Sequence, residues 1–109
     1  MTRRHRVQWA EAAATDLEEL VSYIAVDAPI NAHKVLARLK GKADTLELSP
    51  LRGRVVPELR QYGIRTYREL LVKPYRIVYR VAEKTVYVLA VCDGRRDLED
   101  MLLERLLRG

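Results

Sequence analysis

Cysteine, histidine and unbroken apolar runs are all scarce in this chain. Its single cysteine, Cys92, can form neither an internal disulfide nor a metal cluster, and its place in an apolar run suits a small buried core residue. The two histidines, His5 near the start and His33 further on, offer no Cys/His spacing for zinc. Neither a metal site nor a cofactor is expected. No stretch approaches the roughly 18 uninterrupted apolar residues of a membrane span, so no membrane role is expected. The basic opening Met1-Thr2-Arg3-Arg4-His5-Arg6 is followed by Glu11, Asp16, Glu18 and Glu19 where a secretory signal would turn apolar. A cytoplasmic protein is the expectation. Also missing are the GxxxxGK[ST] and GxGxxG phosphate loops and the GxSxG nucleophile elbow. Ser22 and Ser49 have no evident base, and Glu18-Glu19 reads as solvated helix surface.

What is present is enough for one core. With 109 residues, 49% hydrophobic and 32% charged, the chain reads as a single domain over 1–109. Lysine and arginine total 20 against 15 acidic residues, a formal charge of +5. That balance favours an anionic partner, and nucleic acid, an acidic protein segment and the ribosome each fit. An ordinary positive surface fits as well.

The hydrophobic spacing changes along the chain. An alternating run from His5 to Trp9 predicts a strand, and Leu17, Leu20, Val21 and Ile24 then predict an amphipathic helix. Asp27-Ala28-Pro29 ends it, because proline disfavours a helical residue before it while suiting the first turn of a new helix. In that second helix Val35, Leu36, Leu39, Ala43 and Leu46 share an apolar face, while Lys34, Arg38, Lys40 and Lys42 crowd the rest. Ser49-Pro50 and Gly53 supply turns. Three strands are predicted next, Ile64 to Val72, Tyr75 to Val81 and Val86 to Cys92. Their connections, Lys73-Pro74 and Ala82 to Thr85, are too short for a crossover helix, so an antiparallel meander is expected. The third run is apolar on both faces, as in a central strand covered on both sides. A terminal helix is the candidate cover, with Asp97 as cap, Asp100 in a capping-box-like place, and Leu98, Met101, Leu102 and Leu106 following. Leu103 and Leu107 widen its apolar face, so the helix is either well buried or partly open to another chain. The fold class is α+β: an N-terminal strand and a two-helix hairpin packed on a small antiparallel sheet, with a C-terminal helix.

Arginines cluster on the strands and after the last one, at Arg65, Arg68, Arg76, Arg80, Arg95 and Arg96, interleaved with Tyr67, Tyr75, Tyr79 and Tyr87. Alternation places Arg76, Val78 and Arg80 on one face and Tyr75, Ile77, Tyr79 and Val81 on the other. Guanidinium groups hold phosphate by paired hydrogen bonds and tyrosine stacks on bases, so an RNA-binding surface is available. Pairing with Glu58, Glu69 and Glu83 on a routine surface is the equal alternative.

Four stretches in order resemble the RelE/ParE toxin family over nearly the whole chain: 9–17, Asp27-Ala28-Pro29, Gly53-Arg54-Val55-Val56-Pro57-Glu58, and the sheet. The sheet is the most specific, with Arg68-Glu69-Leu70, then Pro74-Tyr75-Arg76-Ile77-Val78-Tyr79-Arg80-Val81, then 88–98 with Asp93-Gly94-Arg95-Arg96 in its closing turn. The resemblance implies the toxin of a type II toxin–antitoxin module, neutralised by a cognate, ParD-like antitoxin whose disordered segment folds onto it. RelE-like members cleave messenger RNA in the ribosome; ParE-like members share the fold and inhibit DNA gyrase.

Carried over by position, Arg68, Arg76 and Arg96 match basic places in the RelE pattern, where they would be the ribonuclease residues. A further RelE lysine falls at Leu70, and the C-terminal catalytic tyrosine falls near Leu102, so the proton-transfer group is missing. The resemblance therefore favours the ParE branch: a gyrase inhibitor, not an enzyme, with Arg76, Arg80, Arg95 and Arg96 as target-binding residues and Leu98, Met101, Leu102 and Leu106 facing the antitoxin. A ribosome-dependent messenger RNA endoribonuclease, or a non-toxic member that only binds its antitoxin, are the alternatives.

Overall fold

The computed structural model describes residues 4–94 and 98–107. The chain runs through strand β1 (Arg6–Trp9), helices α1 (Glu11–Asp27) and α2 (Pro29–Asp44), a 3₁₀ turn (Thr45–Glu47), strand β2 (Arg54–Val55), the one-turn helix α3 (Pro57–Arg60), strands β3 (Tyr67–Val72), β4 (Tyr75–Ala82) and β5 (Thr85–Asp93), and helix α4 (Glu99–Leu107). This is the α+β arrangement expected, with the helical hairpin between strand and sheet and a helix at the end. Asp97, expected to cap α4, lies outside the described residues.

Between α1 and α2 the backbone breaks at Ala28, whose φ of −146° and ψ of 71° leave the helical region. Its amide still closes on the Ile24 carbonyl at 2.9 Å, and Pro29 then opens α2 where a missing N–H costs nothing. Ala13 and Leu17 of α1 and Ala32, Val35, Leu39 and Ala43 of α2 are buried, the inner stripe of the hairpin.

The sheet has the order β1-β5-β4-β3-β2. The β3–β4–β5 meander is as expected. It is extended at both edges: β2 adds antiparallel to β3, and β1 pairs parallel with β5, from Arg6 opposite Thr85 to Trp9 opposite Val88, which makes the sheet mixed. No hairpin joins β1 to β5, so nothing local dictates the direction of that pair. Strand β3 starts at Tyr67 rather than Ile64 because the Ile64 amide is still bonded to the Leu59 carbonyl at 3.1 Å, closing α3.

Each face of the sheet carries a core. On the first, Leu70, Val72, Ile77, Tyr79, Val86, Val88 and Val91 pack with α1 and α2. On the second, Val78, Ala90 and Cys92 pack with Val56 and Leu59 around α3 and with Leu98 and Leu102 of the α4 segment. A bulge makes β5 serve both. Val78 faces Ala90 and Tyr79 faces Val88, which leaves Leu89 unpaired and turns Ala90 and Cys92 to the face opposite Val86 and Val88.

Gly53 holds the loop before β2. Its amide donates to the Tyr79 hydroxyl at 2.9 Å and its carbonyl accepts from Arg68 at 2.8 Å. A Cβ there would lie 2.5 Å from the Glu69 carbonyl oxygen and 2.6 Å from the Tyr79 hydroxyl, whereas at Gly41 in α2 it would meet nothing within 4 Å. Gly53→Ala is therefore expected to destabilise the fold by about 2 kcal/mol through overpacking, and Gly41→Ala to stabilise it by about 0.5–1 kcal/mol by removing glycine from a helix interior. Urea denaturation of the two variants would show opposite shifts of the midpoint. Equal midpoints would mean the Gly53 loop gives way without cost.

Candidate functional site

The arginine-rich strands put their charges to two different uses. Arg76 on β4 is buried, 8% exposed, under the second face. Its Nη1 and Nη2 donate to the two oxygens of Glu58 at 2.6 and 2.7 Å, and its Nε donates to Glu69 at 2.5 Å. Glu69, 1% exposed, accepts from Arg54 Nε at 2.6 Å through its other oxygen. The cross-strand register Arg54 opposite Glu69 brings β2, β3, β4 and α3 to this one point. Two cations meet two carboxylates, and the cluster is neutral. The Arg76 guanidinium holds the Glu58 carboxyl below the ordinary glutamate range, with partial burial opposing it.

Arg68 is not beside Arg76. It faces the first-core side with Leu70, opposite Tyr79, and its Nη1 reaches the Gly53 carbonyl. Arg80 shares the Arg76 face, half-buried, with its guanidinium 4.9 Å from the centre of the Tyr87 ring, a cation–π contact. Arg95 and Arg96 lie outside the described residues. The strands thus bring Arg76 and Arg80 to one face and set Arg68 on the other.

The α4 positions divide as well. Leu98 and Leu102 are buried in the second core, while Met101 and Leu106 are half-buried and reachable from its rim. The helix is fastened to α1 by Arg105, whose Nη1 and Nη2 donate to the carboxylate of Asp16 at 2.5 and 3.1 Å. Asp16 also accepts the Val91 amide at 3.0 Å, where β1 has already turned away from β5. Tyr62 donates to Glu99, a second tie between α4 and the α3 loop.

A cleft of about 560 Å³ opens at the end of this face, lined by Thr66, Tyr67, Arg80, Leu89, Arg105 and Leu106 with Ala10 and Ala12. It unites one arginine expected to meet a target, Arg80, with one α4 leucine expected to meet a partner, Leu106. A second, more apolar groove of about 450 Å³ runs along the helical hairpin beside Trp9, Leu17, Val21 and Leu36, rimmed by Glu18 and Lys40. Sequence spacing did not reveal it, because Trp9 and Leu17 read simply as core. Cys92 is buried, and burial pushes its thiol up to about 11, so it stays protonated at neutral pH. Among the described residues no group of three His, Cys, Asp or Glu side chains is placed to hold a metal, and no helix is long and apolar enough to cross a membrane.

Comparison with known proteins brings the following likenesses. A family model described as the ParE toxin of the type II toxin–antitoxin system, parDE, matches residues 7–98. A protein of Caulobacter vibrioides named Toxin RelE2 is 36% identical over 92 residues, covering 84% of this chain and 97% of that protein. Among solved structures, a chain of the chromosomal ParDE system from P. aeruginosa superposes with a TM-score of 0.70 at 21% identity, over 84% of this chain and 97% of that one. A chain of the RelBE2 toxin–antitoxin complex from Mycobacterium tuberculosis does so with a TM-score of 0.62 at 24% identity, over 85% and 94%. The last two likenesses are of fold.

The buried cluster generates two expectations. Arg76→Met strips Glu58 and Glu69 of their shared cation and is expected to cost about 3–5 kcal/mol, while Arg76→Met with Glu69→Leu recovers much of that loss because the deepest charge goes as well. A double variant no more stable than the single one would show that Glu69 is not what Arg76 neutralises. Glu58→Gln is expected to cost about 1.5 kcal/mol at neutral pH. Because the Glu58 carboxyl titrates lower when folded than when unfolded, its contribution is complete above the ordinary glutamate range, about 4.3, and is lost as pH falls below it. Denaturation from pH 7 to pH 3 should show wild type and Glu58→Gln converging at the acid end; a constant gap would contradict the assignment.

Proposed function

The chain belongs to the ParE toxin family of type II toxin–antitoxin systems, and from that premise we propose that its 109 residues act as one toxin domain that binds and inhibits DNA gyrase rather than cutting RNA. The observation that carries this reading is the commitment of Arg76. A ribonuclease of this fold needs cations free to hold a phosphate and stabilise its developing charge. Here every N–H direction of the Arg76 side chain that bonds is turned to Glu58 or Glu69, and Arg68 lies on the opposite face of the sheet. At the position where the resemblance would have the proton-donating tyrosine stands Leu102, buried apolar surface.

Target contacts are assigned to Arg80 at the Tyr67 cleft and to Arg95 and Arg96, which follow β5 in the sequence, while Arg76 is spent on holding β4 to α3. A cognate antitoxin is the second partner. The toxin–antitoxin complexes among the structural neighbours support it, and Met101 and Leu106 are the α4 side chains an apolar antitoxin segment reaches first. Leu98 and Leu102 join that contact only if α4 lifts from the sheet.

The 36% identity with a protein named Toxin RelE2 favours a second reading, ribosome-dependent cleavage of messenger RNA. One side-by-side assay separates the two. Purified protein is expected to block gyrase supercoiling and to leave messenger RNA on translating ribosomes intact, and Arg80→Glu, folded by circular dichroism, to weaken the block about tenfold. Cleavage without gyrase inhibition would establish the second reading, and neither activity would leave a member that only binds its antitoxin.

A further inference from the structure

The two helices of the hairpin carry opposite charge. Along α1 stand Glu11, Asp16, Glu18, Glu19 and Asp27 with no lysine or arginine, and along α2 stand Lys34, Arg38, Lys40 and Lys42 with Asp44 as the sole carboxylate. Lys34, Arg38 and Lys42 recur every fourth residue, which sets their Cα atoms about 6 Å apart along the axis and keeps them on one ridge. All three are exposed, and the Arg38 Nη2 donates to the Lys73 carbonyl at 3.1 Å, which brings the exposed Lys73 of the β3–β4 turn beside them. Among the described residues none of these four cations makes an ion pair. The charges are neither neutralised by the fold nor used by the proposed target face.

We propose that this ridge, Lys34, Arg38 and Lys42 with Lys73, docks on the phosphate backbone of nucleic acid without regard to sequence. A membrane surface fits poorly, because a helix lying in lipid turns its apolar face outward, and the apolar side of α2, Ala32, Val35, Leu39 and Ala43, is spent in the core. An acidic peptide fits poorly as well, since the exposed Ile30 lies at the end of the row and no large apolar side chain stands between the cations; Gly41 on the same side leaves open space. A helix with a cation at each turn suits a polyanion of regular repeat. The acidic flank of α1 repels that polyanion from the neighbouring side and so orients the approach.

The proposal does not depend on whether gyrase or the ribosome is the target. Its test is fluorescence anisotropy of a labelled 20-base-pair DNA duplex of mixed sequence, titrated with the full chain at 50 to 200 mM salt. Four phosphate contacts give an expected slope of log K against log salt of about −3.6, and Lys34→Gln, Arg38→Gln and Lys42→Gln together are expected to lower that magnitude by about 2.7 and to weaken binding at least tenfold at 50 mM salt. A control with the same charge change elsewhere, Arg6→Gln, Arg60→Gln and Arg65→Gln, all at exposed positions, should stay within about twofold of wild type. RNA of the same length should bind comparably, as phosphate recognition requires. No binding at 50 mM salt, or equal losses in the two triple variants, would overturn the proposal. So would stronger ridge-dependent binding to phosphatidylglycerol vesicles than to DNA, which would assign the ridge to a membrane instead. All six positions are exposed, and circular dichroism of both variants checks that the fold is intact.

Discussion

A carboxylate with no exposure to water is the point on which the second half of this fold turns. Glu69 sits mid-strand on β3, where burying a lone charge would cost several kcal/mol. Only the arrival of two guanidinium groups, Arg54 from one neighbouring strand and Arg76 from the other, makes that position tolerable. Glu58 then closes the fork of Arg76 from α3. The four side chains thereby tie β2, β3, β4 and α3 together at one point. Hydrophobic burial on the same face, from Val56 and Leu59 to Leu98 and Leu102, surrounds the cluster and excludes the water that would weaken it.

Much of this was legible from residue spacing. The period of 3.6 in α1 and α2, the Pro29 break, the three-strand meander and a terminal helix covering the far side of β5 all emerge from the apolar pattern alone. The bulge at Leu89 does not, because every residue from Val86 to Cys92 is apolar and a one-residue slip leaves no mark on such a run. The parallel pairing of β1 escapes for a related reason. It is a contact between distant segments with no turn chemistry to announce it, and α3, at one turn, is shorter than any window in which helical period can be read.

The candidate site was legible as a set of residue types and not as an arrangement. Alternation along β4 correctly joined Arg76 to Arg80 and set Tyr79 against them. Pairing of the arginines with Glu58 and Glu69 was one of the two readings the sequence left open, and it holds for Arg76; alternation could not select it, because α3 carries Glu58 to Arg76 across a loop. Nor could it place Arg68 on the opposite side, since that requires the register between β3 and β4. The leucines of α4 illustrate the same limit: spacing identifies a wide apolar face, and only packing separates the buried Leu98 and Leu102 from the half-open Met101 and Leu106.

Asp16 has a consequence that reaches outside the single chain. Strand β1 ends at Trp9, opposite Val88, so the last stretch of β5 has lost its neighbour and would present a bare backbone ladder to any passing strand. The Asp16 carboxylate takes up the Val91 amide there and at the same time grips Arg105. The Asp16–Arg105 pair thus caps a stretch of β5 that β1 leaves open. Pairing of a second copy along that stretch of β5 is thereby disfavoured, since the amide it would need is already taken.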